Sequence, residues 1–254
     1  MSTATRFNTL VIRECYRFLR LSRQTVFPPL ISTLLFILIF GYSLGTRIRE
    51  IEGFSYILYI LPGLAAMGAI TNAYSNTSTS LFMARMDYSI ENMLASPLSS
   101  FQLVASFVLG GLLRGMIVGI LPLLISIPMV GLEIQNWPMV FLVLILTSMF
   151  FSCLGIVSAL WSEGWDNIAT FTNFVITPFV YLGGVFYSIQ MLPPFWRKVS
   201  LANPIFYLVD ALRHAVLGVS DVSWGVSLGI LGTLALGSFL LCVYLFRVGY
   251  KLVK

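Results

Sequence analysis

Apolar runs of bilayer-crossing length alternate along this chain with short polar breaks. A helix needs ~20 apolar residues to cross the hydrocarbon core, and six segments qualify: about 26–44, 56–83, 101–130, 138–160, 167–187 and 224–246. The runs are continuous, without the in-out alternation of barrel strands. Helices, whose backbone groups are satisfied within one segment, are therefore favoured. The pattern predicts an all-α, polytopic membrane protein with six transmembrane helices over residues 26–254, preceded by a separate segment over 1–25.

That first segment is also patterned. Phe7, Leu10, Val11, Phe18 and Leu21 fall on one helical face, and Arg6, Arg13, Arg17 and Arg20 on the other. This is the signature of an amphipathic helix lying in the membrane interface. Glu14 projects into the apolar arc, where it either meets a partner protein's base or pairs with Arg17 or a headgroup.

Two breaks between the runs are more than loops. In 85–100, Met86, Ile90, Met93 and Leu94 recur at helical spacing, Asp87 and Glu91 occupy another face, and Pro97 ends the pattern. A helix resting on anionic lipid usually turns Lys or Arg toward it. This one turns carboxylates, which favours a protein-docking element. Residues 188–218 are apolar yet broken by Pro193-Pro194 and Asn203-Pro204 into pieces of about 194–201 and 204–217, each too short to span. Irregular backbone at membrane depth needs shielding by protein or a water-filled cavity. The segment is expected to sit against its own bundle, as its Phe195, Trp196, Ile205, Phe206 and Tyr207 suit packing better than a loose external loop.

Composition agrees: 58% of the chain is hydrophobic and only 10% charged. Charge adds orientation. With an even number of spans both termini share a side, which collects Arg6, Arg13, Arg17, Arg20, Arg23, Arg85, Arg247, Lys251 and Lys254. Arg47, Arg49, Arg197, Lys198 and Arg213 fall opposite. The excess predicts cytoplasmic termini and an external 188–218 segment. It also accounts for the basic balance, so no nucleic-acid partner is implied. Cys15, Cys153 and Cys242 show no metal or disulfide spacing and read as packing residues.

One charge lies inside a span. Arg114 sits in GGLLRGMIVG, where burial costs at least roughly 2.5–3.5 kcal/mol on insertion scales. It either faces a transport route, attracting anionic groups, or hydrogen-bonds a helix carbonyl or a neighbouring Asn or Ser. Gly111, Gly115 and Gly119 beside it permit close helix approach. Asn72 and Asn76 in the second run, and Asn173 and Thr177 in the fifth, either line a path or tie helices together. No catalytic constellation, metal cluster or Gly-rich phosphate loop is legible, so this chain is not expected to be an enzyme or to bind a cofactor itself.

The runs VFPPLISTLLFILIFGYSLG, FSYILYILPGL, TNAYSN, IENMLASPLS and LRGMIVGIL, and above all TPFVYLGGVFYSIQMLPPFWRKVSLANPIFYLVDALRHAVLG, resemble permease subunits of the ABC-2 family of ATP-binding-cassette exporters, of type V exporter-like architecture. The likeness covers the chain end to end. It implies a homodimer in a bacterial inner membrane, docked on two copies of a separately encoded cytoplasmic ABC ATPase that uses ATP and Mg. By the same resemblance Asp87, Ile90, Glu91, Met93 and Leu94 form a coupling helix that seats on the ATPase. The N-terminal helix, with Glu14 and Arg17, resembles a gate helix. A route between the two permeases is lined by the first, second and fifth spans, which brings in Asn72, Asn76, Asn173 and Thr177 beside Arg114. Residues 188–218 resemble re-entrant external helices capping that route, through Pro193, Pro194, Phe195, Trp196, Asn203, Pro204, Tyr207 and Asp210. Short external loops favour export, of an amphipathic lipid, glycolipid or drug-like substrate. The alternatives are a membrane scaffold and an ATP-independent carrier. A carrier would normally place Asp, Glu or His inside its spans, and here none is expected outside loops and interfacial helices.

Overall fold

The computed structural model describes residues 3–20, 27–40 and 50–252. Among them every regular element is helical, apart from an isolated bridge between Ile51 and Phe54. Four helices are long and apolar enough to cross a membrane: α3 (Tyr56–Met86), α5 (Ser100–Val130), α6 (Trp137–Trp161) and α11 (Trp224–Val248). Their ends fall within three residues of the expected second, third, fourth and sixth spans. Hydrophobic runs mark these borders well because polar capping residues follow them directly. Ser99 closes a capping box with Gln102 at the start of α5, and Asn136 caps α6 through the Met139 N–H.

The other two expected spans differ. The first is represented by α2 (Phe27–Leu38), and the rest of its expected range, beyond Phe40, lies outside the described residues. The fifth is a broken path of 17 residues: α7 (Trp165–Phe171), a π-helical turn over Thr172–Ile176, and α8 (Thr177–Tyr181). It ends well short of the expected Tyr187. Pro178 explains the turn, since it has no N–H to offer the carbonyl four residues back and its ring crowds that carbonyl. The register slips by one residue, and Thr177 Oγ1 donates to Thr172 O at 3.0 Å.

The hub is α3. Its most apolar stretch is 72% buried, against 22% for α11, which presents its outer face to the surroundings. α3 packs chiefly on α5 and α6, and the predicted glycine seam is why those helices come so close. A Cβ at Gly115 would lie 2.5 Å from Ser148 Oγ and 2.9 Å from Ala73 Cβ; at Gly119 it would meet Leu144 Cδ2 at 2.9 Å. Hydroxyls fasten the same junction. Thr77 Oγ1 donates to Ser152 O at 2.8 Å and Tyr74 Oη to Ser158 Oγ at 2.6 Å. At the end of α3, Arg85 donates to Ala159 O and Ser162 O, the exposed carbonyls that close α6.

The N-terminal segment forms α1 (Thr3–Arg20). Its predicted apolar stripe does not face lipid. The stripe packs on α5, burying Phe18 and Glu14, while Ile12, Tyr16 and Leu19 point away from the bundle. The helix is amphipathic in composition but has two apolar faces, and the sequence pattern registers only one of them. Between α3 and α5 lies α4 (Ser89–Leu94), one and a half turns long. After α8 come a 3-10 turn at Ile189–Met191 and then α9 (Pro194–Ala202) and α10 (Pro204–Leu217), both at the predicted places.

Candidate functional site

Two polar constellations and one protruding stub organise the chemistry, and all three are attached to α3. The first constellation joins α1, α3 and α5. Glu14 is 1% exposed and accepts from Ser80 Oγ at 2.6 Å and from Arg13 Nη2 at 2.8 Å, with Arg17 Nε 3.4 Å away. Of the two readings of Glu14, pairing within the chain is what the geometry displays. Arg17 reaches past it to Asn76, donating to the backbone O at 2.8 Å and to Oδ1 at 3.0 Å. One helical turn along α3, Asn72 Oδ1 accepts from Arg114 Nε at 3.2 Å and Nη2 at 3.0 Å. Gly110 makes the approach possible: a Cβ there would lie 2.8 Å from Glu14 Cβ and 3.3 Å from Asn76 Nδ2.

Arginine here replaces the carboxylate pair one expects for a buried cation with side-chain amides. No carboxylate pairs with Arg114 among the described residues, and Asn72 Nδ2 is committed to Gly68 O. Asn72 and Asn76 thus hold two cations on one face of α3, with Glu14 as the nearby counter-charge. Asn173 and Thr177 do not join this group. Asn173 is exposed on the π-helical turn, and Thr177 spends its hydroxyl on Thr172 O.

The stub is α4. Its expected docking residues divide. Ile90 and Met93 are buried in the chain's own core and Leu94 packs partly against it, while Asp87, Tyr88, Glu91 and Asn92 are exposed. Asp87 accepts the Ser89 N–H at 3.0 Å, and that hydrogen bonding holds its carboxyl below the usual carboxylate range. Tyr88 stands in the left-handed region at φ 58°. The turn from α3 into α4 is therefore fixed rather than slack.

The second constellation is at the opposite end of α3. Asn203 caps α10 through the Ile205 N–H and donates to Phe179 O at 2.6 Å, tying α10 to α8. Tyr207 Oη donates to Leu201 O, so α9 and α10 form one hairpin. Pro193 and Pro194 start α9, Pro204 starts α10, and Phe195 and Trp196 stay exposed, their rings edge to face. Asp210 is fully buried and accepts from Asp221 N at 2.7 Å and Ser227 Oγ at 3.1 Å. Burial pushes its carboxyl up to about 6, and those two hydrogen bonds oppose the rise.

Sequence reasoning missed the centre of this knot. Arg213 is 1% exposed, lies 4.1 Å over the Tyr59 ring, donates to Gly184 O at 2.6 Å and stands 3.8 Å from Asp221. Asp221 in turn accepts from Ser188 Oγ at 2.6 Å. The available signal was an acid and a base three residues apart, Asp210 and Arg213, in an otherwise apolar helix. The loop before α6 completes the closure: Gln135 N donates to Val216 O and Asn136 N to Ala215 O, satisfying carbonyls at the end of α10.

The description ABC-2 type transporter matches residues 5–217, from α1 through α10. This chain belongs to the ABC-2 type transporter family. It is 40% identical over 237 residues, 93% of each chain, to the inner membrane transport permease YadH of Escherichia coli (strain K12). It is 25% identical over 219 residues to nodulation protein J of Neorhizobium galegae, covering 85% of this chain and 79% of that one. The nodulation protein J of Bradyrhizobium diazoefficiens is 26% identical over 212 residues, 82% of this chain and 79% of the relative. Membership in the ABC-2 family and four membrane-capable helices make the chain a multi-pass membrane transport component rather than a catalytic enzyme.

Proposed function

We propose that this ABC-2 protein is the membrane subunit of an ATP-driven exporter in a bacterial inner membrane. Two copies form the conduit, each crossing the bilayer six times with cytoplasmic termini, and each seats on a separate cytoplasmic ATPase that binds ATP and Mg. The observation that carries the reading is the construction of α4. Ile90 and Met93 root it in the chain's core beside α3, while Asp87, Tyr88 and Glu91 stand outward. A push on that face is delivered to the two helices that carry Asn72, Asn76 and Arg114. The cargo this arrangement suits is amphipathic, a lipid, glycolipid or drug-like molecule.

The test is purification together with a candidate cytoplasmic ABC ATPase from the same cell, followed by reconstitution. The double variant D87K/E91K is expected to fold and insert yet to lose ATPase association and ATP-dependent export. Unchanged association would make α4 a structural turn. Transport by the permease alone, with no ATPase present, would overturn the reading outright.

A further inference from the structure

The inner constellation adjoins two cavities of opposite character. Toward the cytoplasmic end a cleft of about 610 Å³ opens between α1 and the end of α3, lined by Arg13, Tyr16, Arg17, Arg20 and Ser80, with Asp87 as its one carboxylate. Toward the outer side a pocket of about 290 Å³ lies between α2, α3 and α5, lined by Ser32, Thr33, Phe36, Leu64, Val118 and Pro122, with Thr71 at its edge. Thr71 adjoins Asn72 in sequence, and Val118 is one helical turn from Arg114 along α5. Arg17, on Asn76, lines the basic mouth, and Arg114, on Asn72, lies beside the apolar pocket along α3 and α5.

From this we propose that the groove bounded by α1, α2, α3 and α5 binds an anionic, single-chain amphipath, its head on the guanidiniums of Arg17 and Arg114 and its apolar chain in the pocket beside Phe36 and Val118. Three features of the site select that class. A half-buried arginine held only by a neutral amide keeps donors and a full charge for an incoming oxyanion, which two guanidiniums bind better than one. Glu14 offsets its own helix's arginines but leaves Arg114 uncompensated, so the local field is positive where the cytoplasmic cleft ends. The pocket wall is largely apolar, so a free inorganic anion gains nothing from it, while an acyl or alkyl chain does. Asn72 and Asn76, four residues apart, give the head two successive stations between the mouth and the middle of α5. The proposal names the cargo class of the exporter proposed above and rests on that reading for the direction of movement, but binding can be measured on the permease alone.

The full chain in neutral detergent is titrated with dodecyl phosphate, dodecanol and inorganic phosphate, with bound ligand counted by native mass spectrometry. Saturable binding of dodecyl phosphate is expected, with dodecanol and inorganic phosphate each about tenfold weaker or worse. Arg114→Gln should lose about tenfold in affinity, Arg114→Lys less, and Ser32→Trp, an exposed pocket position, should weaken dodecyl phosphate without altering the response to inorganic phosphate. Unfolding temperatures of all three variants verify that they are folded. Equal binding of dodecanol would remove the charge from the argument, and equal binding of inorganic phosphate would remove the chain. Arg114→Gln with wild-type affinity would overturn the site. A failure of ATPase association leaves these titrations untouched, so the two readings fall separately.

Discussion

Two places along α3 bury arginine, and they do it by different means. Near its N-terminal end, the outer one in the proposed orientation, Arg213 is buried beneath the Tyr59 ring, donates to the Gly184 carbonyl and stands 3.8 Å from Asp221. At the inner seam, along the middle of the helix, Arg17 donates to Asn76 and lies 3.4 Å from the buried Glu14, whereas half-buried Arg114 rests on the Asn72 amide with no carboxylate paired to it among the described residues. A charge held by a counter-charge in a dry site is expensive to move, because each partner left behind is unpaired. A charge held by a neutral amide at the edge of a cleft can trade that amide for another acceptor at little net change. The outer knot holds α10 against the bundle, and partner exchange at Arg114 is what the proposed anion site requires of the inner seam.

The sharpest way to break this contrast is to remove one arginine from each place. Arg213→Ala leaves Asp221 buried without its cation and should cost about 3–5 kcal/mol, read as a large fall in unfolding temperature or a failure to accumulate in the membrane. Arg114→Ala abandons only a neutral amide and should cost about 1 kcal/mol or less. Comparable losses at both sites would mean that the inner seam is as rigid a tie as the outer knot.

Acid probes the knot without changing its shape. Burial raises the Asp210 carboxyl to about 6, above its ordinary 3.8. Between those values the folded chain holds a proton that the unfolded chain has lost, so stability is greatest at the acid end. It should fall as pH rises from about 4 to 6, by up to about 3 kcal/mol, and then level off. Asp210→Asn, which keeps the shape and removes the titration, should flatten that slope in thermal unfolding followed against pH. The inner seam has its own counterpart in Gly110→Leu. A Cβ there already meets Glu14 Cβ at 2.8 Å, so the larger side chain should push α1 off α5 at about 1–3 kcal/mol. Protease cleavage within α1, absent from the wild type, is the direct readout.

The same contrast separates what the sequence made legible from what it did not. α3, α5, α6 and α11 follow from hydrophobic length, and α9 and α10 from Pro193-Pro194 and Asn203-Pro204, because a proline or a polar cap stops a helix locally. The break at Thr172–Ile176 is also local in cause, through Pro178, yet a hydrophobic run reports only that a segment is apolar and not which hydrogen-bond register it keeps. Arg114 stood out because a lone charge in an apolar run is conspicuous. Its partner did not, since Asn72 is 42 residues away and one of several polar side chains on α3. Arg213 drew no attention because its neighbours Tyr59, Gly184 and Asp221 come from three different stretches of chain, and only the folded packing brings them together. The inward turn of Ile90 and Met93 was hidden for a similar reason: a helical stripe tells that a face is apolar and leaves open what covers it.

The smallest expected effect on stability tests α4, the stub proposed to seat on the ATPase. Tyr88 holds a left-handed backbone at φ 58°, with its side chain 60% exposed, a conformation that costs a non-glycine residue roughly 1–2 kcal/mol. Tyr88→Gly relieves that strain but frees the unfolded chain, and the two terms offset to within about 1 kcal/mol. The unfolding temperature should therefore hardly move. What disappears is the aromatic ring between Asp87 and Glu91 on the outward face of α4, so ATPase association and ATP-dependent transport should fall while the fold stands. A parallel loss of stability and coupling would place Tyr88 among the residues that hold α3 to α5, and the division between a rooted inner face and a docking outer face would have to be redrawn.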